Sequence, residues 1–200
     1  MQQDGVMVSS PSRLKEMLKQ VLQGLAHAGI PHALTGGMAM AVHGAVRATK
    51  DVDFLVNGAD RDRIDAVMGQ LGFAAEADGE GFARYVRRPL QELPEVVEWV
   101  DLLFATRPIG LELIEHALAT PLHWEGIALP TVSPAGVVLM KAISIAADKR
   151  RPYDEGDVRF LLREHGDTIN HDWLRREAAA IGNDVAQVMD RLLRDEDPSK

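Results

Sequence analysis

Apolar and polar positions along the chain fall into short periodic blocks. Residues 11 to 28, PSRLKEMLKQVLQGLAHA, place Leu14, Leu18, Val21, Leu22 and Leu25 at helical spacing. Ser10 or Ser12 can cap the start of that helix, and Gly29 can end it. HALTG then reads as a short strand, and GMAMAVHGA, rich in Ala and Met, as a short helix. DVDFLV is a strand and RDRIDAVMGQL a helix; residues 73 to 88 form two strands joined by a glycine-containing turn. EVVEWVDLLFA is a strand with many apolar and β-branched residues, GLELIEHAL a helix and GIALPTV a strand. From Ser133 onward the blocks 133–149, 154–166, 171–182 and 183–196 all carry helical periodicity. Ser133 followed by Pro134 is a strong helix start, a capping hydroxyl and then proline at the first helical position. The pattern predicts an α/β domain over residues 1–132 and a helical C-terminal region over 133–200. No internal repeat or low-complexity linker stands between them, so the two are expected to pack closely.

Composition narrows the class. With 200 residues and 46% hydrophobic content the chain is globular and long enough for a full core. No apolar run reaches the roughly 18 residues of a membrane span, and the N-terminus lacks a basic region followed by an apolar stretch, so neither a membrane span nor a signal peptide is expected. The absence of cysteine removes disulfides, thiol nucleophiles and Cys-ligated zinc, which fits a cytoplasmic protein. A net charge of -8 argues against non-specific coating of nucleic acid, which calls for a basic protein. Any nucleic-acid contact is therefore a local patch, with Arg84, Arg87 and Arg88, or Lys149, Arg150 and Arg151, as candidates; the alternative for each is a solvated surface.

The chemistry concentrates in LTGGMAMAVHGAVRATKDVDFLV, residues 34 to 56. Side chains alternate between the faces of a strand, so Asp51 and Asp53 point the same way, roughly 6 to 7 Å apart, and Val52, Phe54 and Val56 point the other way. Two such carboxylates can converge on divalent cations. Magnesium favours a few carboxylates with phosphate oxygens and water, and two ions about 4 Å apart can clamp the attacking and leaving oxygens of a phosphoryl displacement. Asp101, in VVEWVDLLF, shares its strand face with Val97, Trp99 and Leu103. A carboxylate in that row is costly to bury uncompensated. Either an arginine or backbone amides satisfy it, or it is the third ligand of the cation held by Asp51 and Asp53.

Gly36 and Gly37 stand between a strand and a helix. They form either a tight turn or a place where backbone N–H groups meet an anion such as phosphate. Neither a P-loop nor a dinucleotide fingerprint is present. Of the seven histidines, none has metal-ligand spacing; His43, just before Gly44, either approaches a substrate or is packed. No G-x-S-x-G surrounds a serine, and Ser133 is a cap.

In combination these elements resemble the nucleotidyltransferase superfamily of DNA polymerase β type. Its pattern is an apolar residue with Gly-Gly or Gly-Ser, then Asp–apolar–Asp, then a later Asp between apolar residues. The matching positions are Leu34 to Gly37 (with Thr35 intervening), Asp51-Val52-Asp53 and Val100-Asp101-Leu102. The form R-x-T-x-D-h-D, with Arg47 and Thr49, looks more narrowly like the AbiEii-type nucleotidyltransferases, toxins of bacterial toxin–antitoxin pairs. LMKAISIAADKRRPYDEGDVRFLL is similar to that family's C-terminal motif, with Lys141, Lys149 to Arg151, Asp154 and Asp157 as matching positions. Gly37 departs from the many relatives that carry serine there; the backbone N–H role survives and a hydroxyl contact to phosphate does not.

The resemblance implies a mixed sheet flanked by helices, with the helical region closing one side of a cleft. It implies transfer of a nucleoside monophosphate from an NTP to an acceptor hydroxyl, with release of pyrophosphate. Asp51 and Asp53 would hold Mg²⁺ (or Mn²⁺), and Asp101 would complete one metal site and ease deprotonation of the acceptor. Gly36 and Gly37 would receive the triphosphate. Arg47 and Lys141 would give cationic support, Asp154 would belong to the nucleotide side, and Thr49 would steady the turn before the strand. On a helix, Lys141 sits at the edge of an apolar stripe, so a snorkelling lysine is the alternative. The acceptor is expected to be RNA, such as a tRNA end, or a protein side chain, with a cognate antitoxin as partner. Alternatives are an antibiotic-type small molecule as acceptor, a γ-phosphate kinase on the same site, and a non-catalytic nucleotide-binding or antitoxin-like module.

Overall fold

The structure, a computed structural model, describes residues 7–8, 11–46, 49–88, 96–124, 126–148 and 150–195. The chain divides into two units: Met1–Val42 with Val46–Thr131, and His43–Ala45 with Val132–Lys200.

The first unit contains β1 (Met7–Val8), α1 (Pro11–His27), β2 (His32–Thr35), α2 (Gly36–Val42), β3 (Asp51–Asn57), α3 (Arg61–Gln70), β4 (Ala74–Asp78), β5 (Phe82–Arg87), β6 (Val96–Ala105), α4 (Pro108–Ala119), β7 (Leu122–Trp124) and β8 (Ile127–Leu129). Helix α1 buries Met17, Leu18, Val21, Leu22 and Leu25. It stops at Gly29, whose φ of 61 lets Ile30 N–H reach Leu25 O at 2.9 Å and Gly29 N–H reach Ala26 O at 2.9 Å, the paired bonds of a Schellman ending. Ser10, one of the two expected caps, lies outside the described residues.

The sheet is mixed, in the order β2-β3-β6-β5-β4, with β1 parallel to the first residues of β6. Strands β3 and β6 run parallel; β2 on β3, β5 on β6 and β4 on β5 run antiparallel. Val52, Phe54 and Val56 are fully buried, as the alternation in β3 predicts. Helix α1 packs on α3 and β3, α2 on β2 and β3, and α4 on β2, β3 and β6. The β7–β8 ribbon adds a strand, Leu122–Trp124, that the sequence pattern does not announce; three residues are too few to show a period.

Strand β6 carries a second buried carboxylate. Glu98 is held by Arg87 Nε at 2.6 Å and Arg13 Nε at 3.1 Å. Paired in this way, it is a structural ion pair of the kind that is costly to break.

The second unit contains α5 (Pro134–Ala147), α6 (Pro152–His165), α7 (His171–Ile181) and α8 (Asn183–Asp195). Ser133 caps α5 as expected: its Oγ accepts from Gly136 N–H at 3.2 Å, and Pro134 opens the helix. Helix α5 packs against α6, α7 and α8, burying Val138, Ala142, Leu161, Leu174, Met189 and Leu192. His43 belongs to this unit and is packed. Its Nε2 donates to Val132 O at 2.8 Å, and His165 Nε2 donates to His43 O at 2.9 Å. Burial pushes the pKa of His43 down.

His32 on β2 is 3% exposed and rests edge-on against Phe54. Its Nδ1 donates to Ile30 O at 2.8 Å, while Nε2 is buried without a hydrogen-bond partner. Burial lowers its pKa. Below about pH 6.5, the ordinary histidine value, the unfolded chain takes up a proton that the folded chain refuses. The contribution of His32 to stability is thus whole above that pH and is lost as pH falls. The melting temperature is expected to drop between pH 7.5 and 5.5, and His32→Phe to make that drop shallower, with the remainder including the part due to His43. Circular dichroism melts across this range check it; an unchanged slope in His32→Phe would contradict it.

Candidate active site

Asp51 and Asp53 share one face of β3 because they are two residues apart on a strand. The parallel register sets Asp53 opposite Asp101 of β6, so the third carboxylate extends the row sideways onto the neighbouring strand. One carboxylate oxygen from each of Asp51, Asp53 and Asp101 lies within 4.8 Å of the others. The first two side chains are half-buried, and Asp101 is 6% exposed. The donor set is oxygen alone. That suits a hard divalent cation such as Mg²⁺ or Mn²⁺ and disfavours a softer metal that seeks nitrogen or sulfur.

Of the two alternatives for Asp101, the arginine partner is present. In the antiparallel register of β5 on β6, Arg84 stands opposite Asp101. Arg84 Nε donates to Oδ1 at 2.7 Å and Nη2 to Oδ2 at 2.6 Å, a two-pronged ion pair. The hydrogen bond to Asp101, aided by the nearby charges of Asp51 and Asp53, pushes the guanidinium pKa further up. An ionised carboxylate has about four lone-pair sites, so the fork leaves lone pairs on Asp101 free to face a cation.

The residues around the carboxylates are shaped to them. Thr49 Oγ1 lies 2.9 Å from Asp51 Oδ1 and donates to it, with the main-chain oxygen of Asp51 at 3.3 Å as the competing acceptor. Gly36 has a φ of 62, and a Cβ there would fall 2.1 Å from Asp53 Oδ2. A Cβ on Gly37 would fall 2.5 Å from Thr49 Oγ1. The Gly-Gly pair is bare because the side chains of Asp53 and Thr49 occupy that space.

The remaining expected site residues lie outside the described residues or belong to the second unit. Arg47 and Lys149 lie outside the described residues. Lys141 and Asp154 are in the second unit, bonded to each other. Lys141 Nζ stands 2.8 Å from Asp154 Oδ1 and 2.6 Å from Asp157 Oδ2, and Arg151 Nη1 is 3.3 Å from Asp154 Oδ2. At 8% exposure Lys141 is a buried ion-pair centre and not a snorkelling side chain. The arginine cluster of β5 does not form a bare basic patch: Arg84 pairs with Asp101, Arg87 with Glu98 and Arg88 with Glu76 at 3.2 Å.

Arg84 is the site residue that the motifs miss. A signal for it exists in the charge spacing. Arg84 and Arg87 are three apart on β5, Glu98 and Asp101 three apart on β6, and an antiparallel register that joins one pair joins both.

The sequence matches, over residues 9–187, the family described as "uncharacterised nucleotidyltransferase". The chain belongs to this nucleotidyltransferase family. Its fold is that of solved nucleotidyltransferases. The antibiotic-resistance factor ANT(2'')-Ia is 14% identical with a TM-score of 0.52, covering 90% of each chain. JHP933 from Helicobacter pylori is 13% identical with a TM-score of 0.55, covering 95% of each chain. An antigenic nucleotidyltransferase-like protein from Paracoccidioides brasiliensis is 19% identical with a TM-score of 0.53, covering 78% of each. No protein with a curated description matches. The narrower likeness to AbiEii-type toxins rests on the motif residues alone. No helix among the described residues is long and apolar enough to cross a membrane.

Two substitutions test how this nucleotidyltransferase holds its residues. Gly36→Ala puts a Cβ into a left-handed position, at about 1–2 kcal/mol, and against the Asp53 carboxylate. It is expected to lower the melting temperature and to abolish any stabilisation by Mn²⁺, read by thermal melts with and without the ion. Lys141→Met removes the cation that Asp154 and Asp157 share, leaving Arg151 on Asp154. The expected loss is about 3–5 kcal/mol, as for a broken buried pair, measured by urea unfolding without nucleotide. A lysine whose role is confined to binding triphosphate would leave that stability unchanged.

Proposed function

We propose that this nucleotidyltransferase transfers a nucleoside monophosphate from an NTP to an acceptor hydroxyl in a Mg²⁺-dependent reaction, releasing pyrophosphate. The observation that carries the reading is the convergence of Asp51, Asp53 and Asp101 on one sheet face beside the Gly36–Gly37 turn. These three carboxylates would hold Mg²⁺ or Mn²⁺, and the bound ion supplies Lewis-acid polarisation of the phosphoryl oxygens and a lowered acceptor pKa. Asp101, gripped by Arg84 on both oxygens, would complete one metal site and ease deprotonation of the acceptor hydroxyl. Main-chain N–H groups of Gly36 and Gly37 would receive the triphosphate, with Arg47 as cationic support and Thr49 steadying the turn before β3. Full possession of the three carboxylates supports an active enzyme over a non-catalytic module.

For the acceptor, the likeness of Arg47-x-Thr49-x-Asp51 and of residues 139 to 162 to AbiEii-type toxins favours RNA, such as a tRNA end, or a protein side chain, with a cognate antitoxin as partner. A second reading, a small-molecule hydroxyl, draws support from ANT(2'')-Ia, solved in complex with adenylyl-2''-tobramycin and alike in fold over 91% of this chain and 98% of that one. The protein is incubated with Mg²⁺, each α-labelled or γ-labelled NTP, and separately total RNA, total protein or an aminoglycoside panel. Label from the α position alone, in one acceptor class, is expected. Label from the γ position alone would make the protein a kinase, and no label in any arm would sink the transferase reading. Mg²⁺ or Mn²⁺ is also expected to raise the melting temperature, and Asp53→Asn to remove most of that rise.

A further inference from the structure

We propose that Arg84 is a positioning residue of the carboxylate site, which fixes Asp101 for the cation and sets the affinity of the site through its own charge. This rests on the metal site argued above. Three observations lead to it. Arg84 grips both oxygens of Asp101, at 2.7 and 2.6 Å. It stands in the same cross-strand row as Asp101 and Asp53, so its place is set by the sheet register and not by a loop. Its side chain is 38% exposed while that of Asp101 is 8% exposed, so the arginine reaches the carboxylate from the solvent edge of the row.

The consequences are electrostatic and geometric. Without a cation, three carboxylates whose oxygens lie within 4.8 Å repel one another, and Arg84, bonded to Asp101, is a positive charge that offsets part of this. When a cation arrives, the same charge opposes it. Arg84 therefore stabilises the empty site and weakens metal binding. The fork also denies Asp101 rotation about its terminal bond, so the lone pairs that remain point in a fixed direction. A rigid carboxylate favours Mg²⁺, which demands near-octahedral geometry at short distance, over Ca²⁺, which accepts loose geometry. Charge and fork are separable by substitution: Arg84→Met removes both, and Arg84→Lys keeps the charge and removes the fork.

The test titrates the full-length protein with Mn²⁺, followed by electron paramagnetic resonance, and then displaces Mn²⁺ with Mg²⁺ or Ca²⁺. Arg84→Met is expected to bind Mn²⁺ about threefold or more tightly than the wild type, since the lost charge was repulsive, while its metal-free melting temperature falls. Arg84→Lys is expected to keep Mn²⁺ affinity within about twofold while its preference for Mg²⁺ over Ca²⁺ drops about threefold or more. In an Asp101→Asn background, Arg84→Met is expected to change Mn²⁺ affinity much less. A residue with a merely structural role would, on removal, leave the affinity unchanged or weaken it. Either of those results for Arg84→Met overturns the proposal, as does an unaltered Mg²⁺ to Ca²⁺ ratio in Arg84→Lys. Should Arg84→Met fail to fold, the Arg84→Lys ratio decides. Absence of Mn²⁺ binding by the wild type would overturn the metal site itself, and Arg84's part with it, whereas wild-type binding with unmoved variants overturns Arg84's part alone.

Discussion

Three carboxylates whose oxygens come within 4.8 Å of one another repel, and the fold has to hold them there against that repulsion. It does so mainly with backbone. Asp51 and Asp53 cannot diverge because β3 fixes both on one face, and Asp101 cannot retreat because β3 and β6 are hydrogen-bonded in parallel register. Side chains then relieve part of the repulsion: Thr49 donates to Asp51, and Arg84 forks Asp101. The sheet order follows the same need. With β3 and β5 on either side of β6, the central strand presents Asp101 to like charges on one side and to its counter-ion on the other.

Strand β6 also carries two buried carboxylates with different surroundings. Glu98 and Asp101 are both buried and both meet an arginine of β5. Glu98 receives a second arginine, Arg13, and no like charge among the groups bonded to it. Asp101 receives one arginine and has two further carboxylates beside it. Glu98 is thus matched by positive charge within its own ion pairs, whereas Asp101 sits in a cluster where carboxylates outnumber the arginine bonded to it.

Apart from β1 and β7, the order of elements was legible because the apolar positions keep a clean period, and the termini because their chemistry is specific: Ser133-Pro134 starts α5 and Gly29 ends α1. The carboxylate face was legible from two-residue alternation alone. What lay beyond local pattern was the pairing of distant residues. Arg84, Arg87 and Arg88 look like a basic surface run until the register of β5 on β6 brings Asp101 and Glu98 opposite, and β4 brings Glu76 near. Lys141 looks like a free cation at the margin of an apolar stripe until α6 brings Asp154 and Asp157 to it. His43 reads as part of the helix between the motifs, yet α2 stops at Val42 and the ring bonds to Val132. In each case the missing information was a long-range contact.

The glycine turn shows how far one such contact reaches. From sequence, Gly37 differs from relatives with serine there, and the difference looks like a lost hydroxyl. In the structure the space beyond Gly37 is filled by Thr49, whose Oγ1 would stand 2.5 Å from a Cβ at that position. A side chain at 37 and the present placement of Thr49 exclude each other. Since Thr49 spends its hydroxyl on Asp51, moving it would strip a hydrogen bond from one of the three carboxylates. Gly36 stands in the same relation to Asp53. The two glycines and the two acidic residues of β3 are therefore one packing unit, in which the turn is bare so that the carboxylates can be close.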